Sequence, residues 1–182
     1  EALAQAMASG RKTVFFGGAG VSTESGIPDF RSAGGIYGRQ YAYPPEVMVS
    51  HSFFMAHPDE FYEFYRREMV WPRAKPNAAH IRLAELEAEG RVTAVGTGSK
   101  NVLELHGSIH RNRCMRCGRK YGLEAILTTD GVPRCECGGI IKPEVVLYEE
   151  ELDPRTLTAA VDAISQADTL LIAGTSLAVY PA

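Results

Sequence analysis

A short apolar run that leads directly into a glycine-rich stretch constrains this chain more than any other feature. Residues Thr13 to Phe16 are typical of a buried strand, and Gly18 to Arg31 follow with the sequence G-A-G-V-S-T-E-S-G-I-P-D-F-R. Small residues after a strand allow backbone N–H groups to approach a bound phosphate closely, because no side chain intervenes. The sequence therefore predicts a nucleotide-binding loop at the end of its first strand.

Predicted strands and helices alternate along the rest of the chain. The further predicted helices are 1–9, 59–70, 77–89 and 156–166, and the further predicted strands are 92–95 and 169–173. This alternation favours an α/β fold with a Rossmann-like parallel sheet that has helices on both faces. We expect residues 1–110 and 143–182 to form this domain, incomplete at its C-terminus. Residues 111–142 contain four cysteines in two close pairs, and we expect them to form a small zinc-binding module.

Charge and hydropathy argue against two classes of partner. The chain has 182 residues and a net charge of −3, which gives no reason to expect nucleic acid as its main partner. Its longest apolar run, 169–179, is interrupted by Gly174, Thr175 and Ser176 and falls short of the ~20 residues of a membrane-spanning helix. Without a recognisable export signal, the predicted compartment is the cytoplasm.

The four cysteines form two close pairs, Cys114 with Cys117 and Cys135 with Cys137. Thiolates two or three positions apart on a tight turn can occupy adjacent corners of a tetrahedron around zinc. Four sulfur ligands leave no position for water, so we expect a structural rather than a catalytic zinc ion. Two other interpretations stay open beside it: reduced thiols without a metal, and a zinc ribbon that binds nucleic acid, since the stretch Arg111–Lys120 is basic.

The stretch Gly18–Arg31, taken as a whole, resembles the cofactor-binding segment of the sirtuins, the NAD-dependent protein deacylases. That family also accounts for the cysteine pairs, and the resemblance covers nearly the whole chain. It implies NAD as a co-substrate and an acetylated lysine-bearing protein or peptide as the substrate.

The implied cofactor-binding residues of the loop are Gly18, Ala19, Gly20, Thr23, Asp29, Phe30 and Arg31. In this assignment Ala19, Gly20 and Thr23 line the diphosphate and ribose. Arg31 faces phosphate, and Phe30 covers the reactive sugar carbon once nicotinamide has left.

Three further segments match the same family. Residues 103–108 have the sequence L-E-L-H-G-S, which resembles the segment with the catalytic histidine, so His106 is the implied base for a ribose hydroxyl. The residues that follow the last predicted strand lie where such a sheet binds its dinucleotide, and they are Gly174, Thr175 and Ser176.

The segment Glu144–Tyr148 resembles the one that pairs with the substrate peptide by strand addition, and an ordinary core strand is the alternative. The residues implied for this pairing are Val145, Val146 and Tyr148. In the family the residues after this segment usually include a glycine, whereas this chain has Glu149 and Glu150.

The resemblance implies attack by the carbonyl oxygen of acyl-lysine on the ribose carbon that bears nicotinamide. The acyl group then passes to a ribose hydroxyl activated by His106, and the products are free lysine, nicotinamide and O-acyl-ADP-ribose. Sirtuins that prefer acidic acyl groups carry a tyrosine followed three positions later by arginine. Here Tyr62 is followed at that spacing by Tyr65, and Tyr65 by Glu68. Without the arginine a buried succinyl carboxylate has no partner, so we expect a deacetylase.

One stretch departs from the family pattern. After a strand such as Val92–Val95, sirtuins carry a Gln-Asn-(Ile/Val)-Asp-Gly-Leu-His stretch that binds nicotinamide and the ribose, whereas this chain continues G-T-G-S. The residues 96–101 are also too few for a parallel crossover, which needs roughly a dozen. We expect the natural protein to have further residues here and beyond Ala182, which were left out of this sequence or removed by engineering. We favour this explanation over a degenerate relative of the family. The alternative function is a non-catalytic, zinc-stabilised domain that binds nucleotide or peptide.

Overall fold

The computed structural model describes residues 12–92 and 102–178, so the predicted helix over 1–9 and most of the strand over 92–95 lie outside the described residues. The chain divides into two compact units. The first contains Glu1–Gly38, Arg73–Leu105 and Asp153–Ala182, and the second contains Arg39–Pro72 and His106–Leu152. The second unit is larger than the predicted zinc module, because it also includes the aromatic helices between Arg39 and Pro72.

In chain order, the described α-helices are α1 (Pro45–Met48), α2 (His51–Ala56), α3 (Pro58–Phe64), α4 (Ala78–Ala88), α5 (Glu124–Leu127) and α6 (Pro154–Ser165). The strands are β1 (Thr13–Gly17), β2 (Gly107–Cys114), β3 (Lys120–Tyr121), β4 (Ile141–Val145) and β5 (Thr169–Ala173). The 3-10 turns Ala19–Ser25 and Ile36–Gly38 and the π-helical turn Tyr65–Met69 lie between them. No helix within the described ranges is both long enough and apolar enough to cross a membrane.

The first unit contains the parallel strands that the sequence predicts. β1 pairs with β5 in parallel, with Thr13 opposite Thr169 and Gly17 opposite Ala173. Val92 adds a parallel bridge to Thr13. Parallel neighbours require crossover connections, and the helices α4 and α6 lie in the chain between these strands. The prediction of a Rossmann-like α/β fold is confirmed, and the carboxyl ends of β1 and β5 lie side by side.

The core of the first unit lies between β1 and α4. Phe15 of β1 packs with Leu83 and Leu86, which share one face of α4. The helix begins at a capping box in which the side chain of Asn77 accepts from the backbone N–H of His80 at 3.2 Å. The ring Nδ1 of His80 accepts in return from the backbone N–H of Asn77 at 3.3 Å. Both polar side chains are therefore used to start the helix that covers the sheet.

The second unit contains a separate antiparallel sheet in the order β3–β2–β4. β2 pairs with β4 so that Gly107 lies opposite Val145 and Cys114 lies opposite Ile141. One strand thus connects His106, directly before its start, with a zinc-ligand candidate at its end. The predicted peptide-pairing segment continues from the end of the neighbouring strand.

Aromatic side chains fill the interior beneath α2 and α3 in the second unit. The fully buried members are Phe54, Phe61, Tyr62, Phe64 and Tyr65. The ring centroids of Phe54 and Phe61 are 4.9 Å apart in an edge-to-face arrangement, a favourable geometry for aromatic pairs. The hydroxyl of Tyr62 donates to the backbone carbonyl of Ile141 at 2.5 Å, which joins the helical layer to β4.

The predicted helix over 59–70 changes its pitch at Tyr65. Residues Tyr65–Met69 form a π-helical turn, a form that is rare in α-helices. Glu68 in this turn is only 5% exposed, and its carboxylate pairs with Arg39 at 2.7 Å and with Arg67 at 2.9 Å. A buried carboxylate is stable here because the two guanidinium groups hold both of its oxygens.

Candidate functional site

The predicted nucleotide loop is joined by hydrogen bonds to the end of β5. The N–H of Gly18 donates to the carbonyl of Ala173 at 3.0 Å, and the N–H of Gly20 donates to the carbonyl of Gly174 at 2.8 Å. The structure therefore brings together two predicted segments that are far apart in the sequence. They meet at the carboxyl ends of parallel strands, where sheets of this kind bind nucleotides.

Glycine is required where these two loops cross. Gly174 has a φ of +63°, and a Cβ on it would lie 2.8 Å from the carbonyl carbon of Gly20. A Cβ on Gly18 would lie 2.5 Å from the Cβ of Thr175. The N–H groups of Gly18 and Gly20 are engaged within the chain, so a bound phosphate must use other donors of the loop. Close packing of backbone against backbone therefore accounts for these glycines.

The other predicted loop residues lie on or near the surface. Ala19 and Thr23 are exposed, and the hydroxyl of Thr23 donates to the carbonyl of Gly20 at 2.9 Å. Ser176 is exposed, while the hydroxyl oxygen of Thr175 accepts from the N–H of Leu177 at 3.1 Å. The hydroxyl oxygens of both threonines are thus fixed in direction by backbone groups of their own loops.

Asp29 has one environment, and Phe30 and Arg31 share another. The carboxylate of Asp29 accepts from the hydroxyl of Ser32 at 2.6 Å and from its N–H at 3.2 Å, which closes a turn. The ring of Phe30 packs edge-to-face on Tyr37, with centroids 5.5 Å apart. The guanidinium of the exposed Arg31 lies 5.4 Å from the same Tyr37 ring. Tyr37 therefore orders the aromatic and cationic members of the predicted site.

Asn77 holds the nucleotide loop by a hydrogen bond, a role that the sequence analysis did not identify. Its Nδ2 donates to the carbonyl of Val21 at 2.8 Å, while its Oδ1 caps α4. An asparagine directly before an apolar helical pattern is a recognisable helix start. The cap was therefore visible in the sequence, whereas the bond to a loop 56 positions away was not.

His106 lies at the start of β2 in the second unit. Its backbone carbonyl accepts from the N–H of Val146 at 3.0 Å, so the histidine and the predicted peptide-pairing segment are direct neighbours. The residue keeps contact with solvent, but protein atoms around the ring desolvate it and lower its pKa below the ordinary value of 6.5. A lowered pKa leaves the imidazole neutral at pH 7, which is the form that accepts a proton.

The predicted peptide-pairing segment is held within its own unit. Val145 ends β4, opposite Gly107. Tyr148 forms an isolated parallel bridge with Ser50, and its N–H donates to the carbonyl of Val49 at 3.0 Å. The N–H groups of Val146 and Tyr148 are thus used internally, and strand addition by a peptide has to use the remaining backbone groups of the segment.

The four predicted metal ligands come together in the second unit. The sulfurs of Cys114, Cys117, Cys135 and Cys137 all lie within 4.8 Å of one another. Two of the separations, Cys114 to Cys137 and Cys117 to Cys135, are 3.4 and 3.6 Å. Four sulfurs at the usual zinc–sulfur distance are about 3.8 Å apart in a tetrahedron. The donor set and its spacing therefore fit a structural zinc ion, as the sequence predicts.

Turns on both sides bring these sulfurs together. The N–H of Gly118 donates to the carbonyl of Cys114 at 2.9 Å, and the N–H of Gly138 donates to that of Cys135 at 2.8 Å. Both glycines have a positive φ, of 73° and 81°. The hydroxyl of Tyr121 donates to the sulfur of Cys135 at 3.0 Å and lowers the pKa of that thiol. Tyr121 thus supports a metal-binding thiolate, a role that the sequence analysis missed.

Comparison with known proteins identifies a family over nearly the whole chain. The Sir2 family model matches residues 18–181. NAD-dependent protein deacetylases of Clostridium acetobutylicum and Cutibacterium acnes are each 54% identical to the chain. The two alignments cover 99% and 100% of this chain and 79% and 80% of the relatives. The alignment with the Clostridium protein spans 194 positions, 12 more than the 182 residues here. That relative therefore has at least 12 aligned positions without a counterpart in this chain.

Solved structures of Sir2 proteins have the same fold. A Sir2 variant with a deacetylated p53 peptide and 3'-O-acetyl-ADP-ribose matches with a TM-score of 0.89 at 38% identity, covering 99% of this chain and 78% of that one. A Sir2 complex with a p53 peptide and NAD+ matches with a TM-score of 0.84 at 37% identity, covering 100% of this chain and 78% of that one.

Proposed function

Because the chain belongs to the Sir2 family, we propose that it is an NAD-dependent protein lysine deacetylase, which transfers the acetyl group of acetyl-lysine to ADP-ribose and releases nicotinamide. The observation that carries this proposal is the 54% identity, over nearly the whole chain, to proteins named NAD-dependent protein deacetylases. The named activity favours an enzyme over a non-catalytic nucleotide-binding or peptide-binding domain. The proposal includes a nicotinamide-binding segment after Val95 in the natural molecule, in keeping with the unmatched positions of the Clostridium relative.

The first unit binds NAD in this proposal, at the carboxyl ends of β1 and β5. The bonds that join Gly18 and Gly20 to the end of β5 support this placement, because they hold the loop after β1 beside the carboxyl end of β5. The N–H groups of Gly18 and Gly20 are bonded within the chain and are not available to the diphosphate. In the proposal, the guanidinium of Arg31 provides the positive charge that the diphosphate requires. Phe30, packed edge-on against Tyr37, covers the reactive sugar carbon after nicotinamide has left.

His106 is the base in this proposal. The carbonyl oxygen of acetyl-lysine attacks the ribose carbon, and the bond to nicotinamide breaks with its electron pair leaving on nicotinamide. His106 accepts the proton of a neighbouring ribose hydroxyl, whose oxygen bonds to the acetyl carbon. The bond from the acetyl carbon to the lysine nitrogen breaks, and lysine leaves as the free amine. Water then adds to the acetyl carbon as its bond to the attacking oxygen breaks, so the products are lysine, nicotinamide and O-acetyl-ADP-ribose. The lowered pKa of His106 supports this role, because the neutral ring is present at pH 7.

The acetylated peptide lies along Val145, Val146 and Tyr148 in the proposal. The sequence supports a neutral acyl group, because Tyr62 and Tyr65 lack the arginine that follows the tyrosine in sirtuins with a preference for acidic acyl groups. The hydroxyl of Tyr62 is also already bonded to the backbone carbonyl of Ile141. The residues three positions after Tyr62 and Tyr65 are Tyr65 and Glu68, and neither can pair with a succinyl carboxylate. We also assign the chain to the cytoplasm, because four free thiols gathered for a metal are typical of a reducing compartment.

Mass spectrometry of an acetyl-lysine peptide incubated with the protein tests this function. We expect loss of the acetyl group only when NAD is present, and we expect a matched succinyl-lysine peptide to react more slowly. The His106→Asn variant serves as the control, because asparagine fits the space but cannot act as a base. NAD-independent loss of acetyl, or equal rates for His106→Asn and the wild type, would refute the proposal.

A further inference from the structure

Residues 145–148, called the pairing segment from here on, are tied down at both ends. The N–H of Val146 donates to the carbonyl of His106 at 3.0 Å. At the other end, the carbonyl of Tyr148 accepts from the N–H of His51 at 3.0 Å, and its N–H donates to Val49. The segment thus runs between the candidate base and the start of α2.

Glu149, directly after the pairing segment, has an unusual backbone conformation. Its φ is +74°, in the left-handed region that favours glycine. The resemblance to the family leads us to expect a glycine among the residues after this segment, and here a side chain is present instead. A strained conformation of this kind persists only where the surrounding structure holds it.

The carboxylate of Glu149 is what holds it. One oxygen accepts from the N–H of Ser52 at 2.8 Å, and the other accepts from the Ser52 hydroxyl at 2.9 Å. Ser52 lies in the first turn of α2, where free N–H groups and the helix dipole favour a negative charge. The side chain therefore fastens the end of the pairing segment to a helix that packs in the aromatic interior.

Glu150 fastens the same segment from within. One of its oxygens accepts from the N–H of Leu147 at 2.9 Å and pairs with Lys142 at 3.0 Å. The other oxygen lies 2.8 Å from Nδ1 of His51. Lys142 also donates to the carbonyl of Val145 at 3.2 Å. Bonds from two consecutive glutamates thus leave the pairing segment little freedom before any peptide arrives.

We propose that Glu149 is a positioning residue for the acetylated peptide: its bond to Ser52 holds the pairing segment in the extended form that an added strand requires. This inference rests on the proposed function. A binding segment that is ordered in advance loses less conformational freedom when its partner binds, which favours affinity. Both carboxylate oxygens of Glu149 are bonded to Ser52, and Glu149 is not among the residues assigned to NAD or to the base, so we expect its effect to be confined to peptide binding.

Three substitutions of Glu149 distinguish the effect of losing its bonds to Ser52 from the effect of its strained backbone conformation. Glu149→Gln keeps an oxygen for the N–H of Ser52 and an amide that can bond its hydroxyl. Glu149→Gly loses the bond but adopts a positive φ without strain. Glu149→Ala loses the bond and keeps the strain. Glu151→Ala is the matched control, because Glu151 is an exposed acid for which the described residues provide no hydrogen-bond partner.

Steady-state kinetics of peptide deacetylation give the first readout. We expect the KM for the acetylated peptide to rise about tenfold in Glu149→Ala, less in Glu149→Gly, and little in Glu149→Gln. The KM for NAD and kcat should stay at their wild-type values, as should all parameters of Glu151→Ala. An unchanged peptide KM in Glu149→Ala would overturn the proposal, and so would an equal rise in the KM for NAD. If the alanine variant does not fold, the difference between glycine and glutamine carries the same test.

Amide hydrogen exchange gives a second readout that needs no catalysis. Without substrate, the N–H groups of Leu147 and Tyr148 should exchange about tenfold faster in Glu149→Ala than in the wild type, since their protection depends on the fastened segment. Unchanged exchange at these positions would overturn the proposal. A wild-type protein that shows this protection but no deacetylation would refute the proposed function alone, so the two failures are distinguishable.

Discussion

Replacing Gly174 by alanine tests whether the loops at the ends of β1 and β5 depend on close backbone contact. Gly174 has a φ of +63°, and a Cβ there would collide with the N of Val21 and lie 2.8 Å from the carbonyl carbon of Gly20. The left-handed conformation costs an alanine about 1 kcal/mol, and overpacking against backbone adds about 1–3 kcal/mol. We therefore expect the free energy of unfolding to fall by about 2–4 kcal/mol.

Gly26 provides the matched control for this substitution. Its φ is +83°, but no described atom lies within 4 Å of a Cβ built on it, so Gly26→Ala should cost only about 1 kcal/mol. Urea unfolding followed by circular dichroism gives both free energies, and calorimetric titration with NAD gives both affinities. We expect Gly174→Ala to lose far more NAD affinity than Gly26→Ala. Equal losses of stability and affinity in the two variants would refute the reasoning, because strain alone would then explain both.

Three further predictions concern the zinc cluster and the base. Removal of the metal by a strong chelator should unfold the antiparallel sheet of the second unit, since the binding energy of a structural zinc ion is on the order of 10 kcal/mol; circular dichroism that stays unchanged after metal loss would contradict this. Tyr121→Phe should release zinc to a colorimetric chelator about tenfold faster than the wild type, because it removes the hydrogen bond to the sulfur of Cys135. Equal release rates would show that this bond is unimportant. Desolvation lowers the pKa of His106, so the neutral base predominates above 6.5, and the deacetylation rate should fall only as the pH drops below that value. A rate that already declines above it would contradict the assignment.

Features that depend on neighbouring residues could be predicted from the sequence. Two cysteine pairs beside glycines indicate a four-sulfur cluster, and the structure places the sulfurs together. Apolar runs that alternate with helical patterns indicate parallel strands, and β1 and β5 pair accordingly. In both cases the deciding chemistry, thiolate spacing or strand burial, is contained in a short stretch of chain.

Features that depend on distant contacts could not be predicted in this way. The glycine at position 174 is required by a loop more than 150 residues earlier, and nothing local to it shows that loop. The helices between Arg39 and Pro72 join the second unit because Tyr62 bonds to Ile141, 79 positions away. The left-handed φ of Glu149 is held by Ser52, a contact that no spacing rule identifies. These positions were therefore visible only in the folded chain.

The stoichiometry of the products tests the account most directly. The protein is incubated with NAD and an acetyl-lysine peptide, and nicotinamide, deacetylated peptide and O-acetyl-ADP-ribose are quantified together. We expect the three products to form in equal amounts, with no nicotinamide released when the peptide lacks its acetyl group. Absence of all three products from a folded, zinc-loaded protein, or nicotinamide release independent of the acetyl group, would contradict the account.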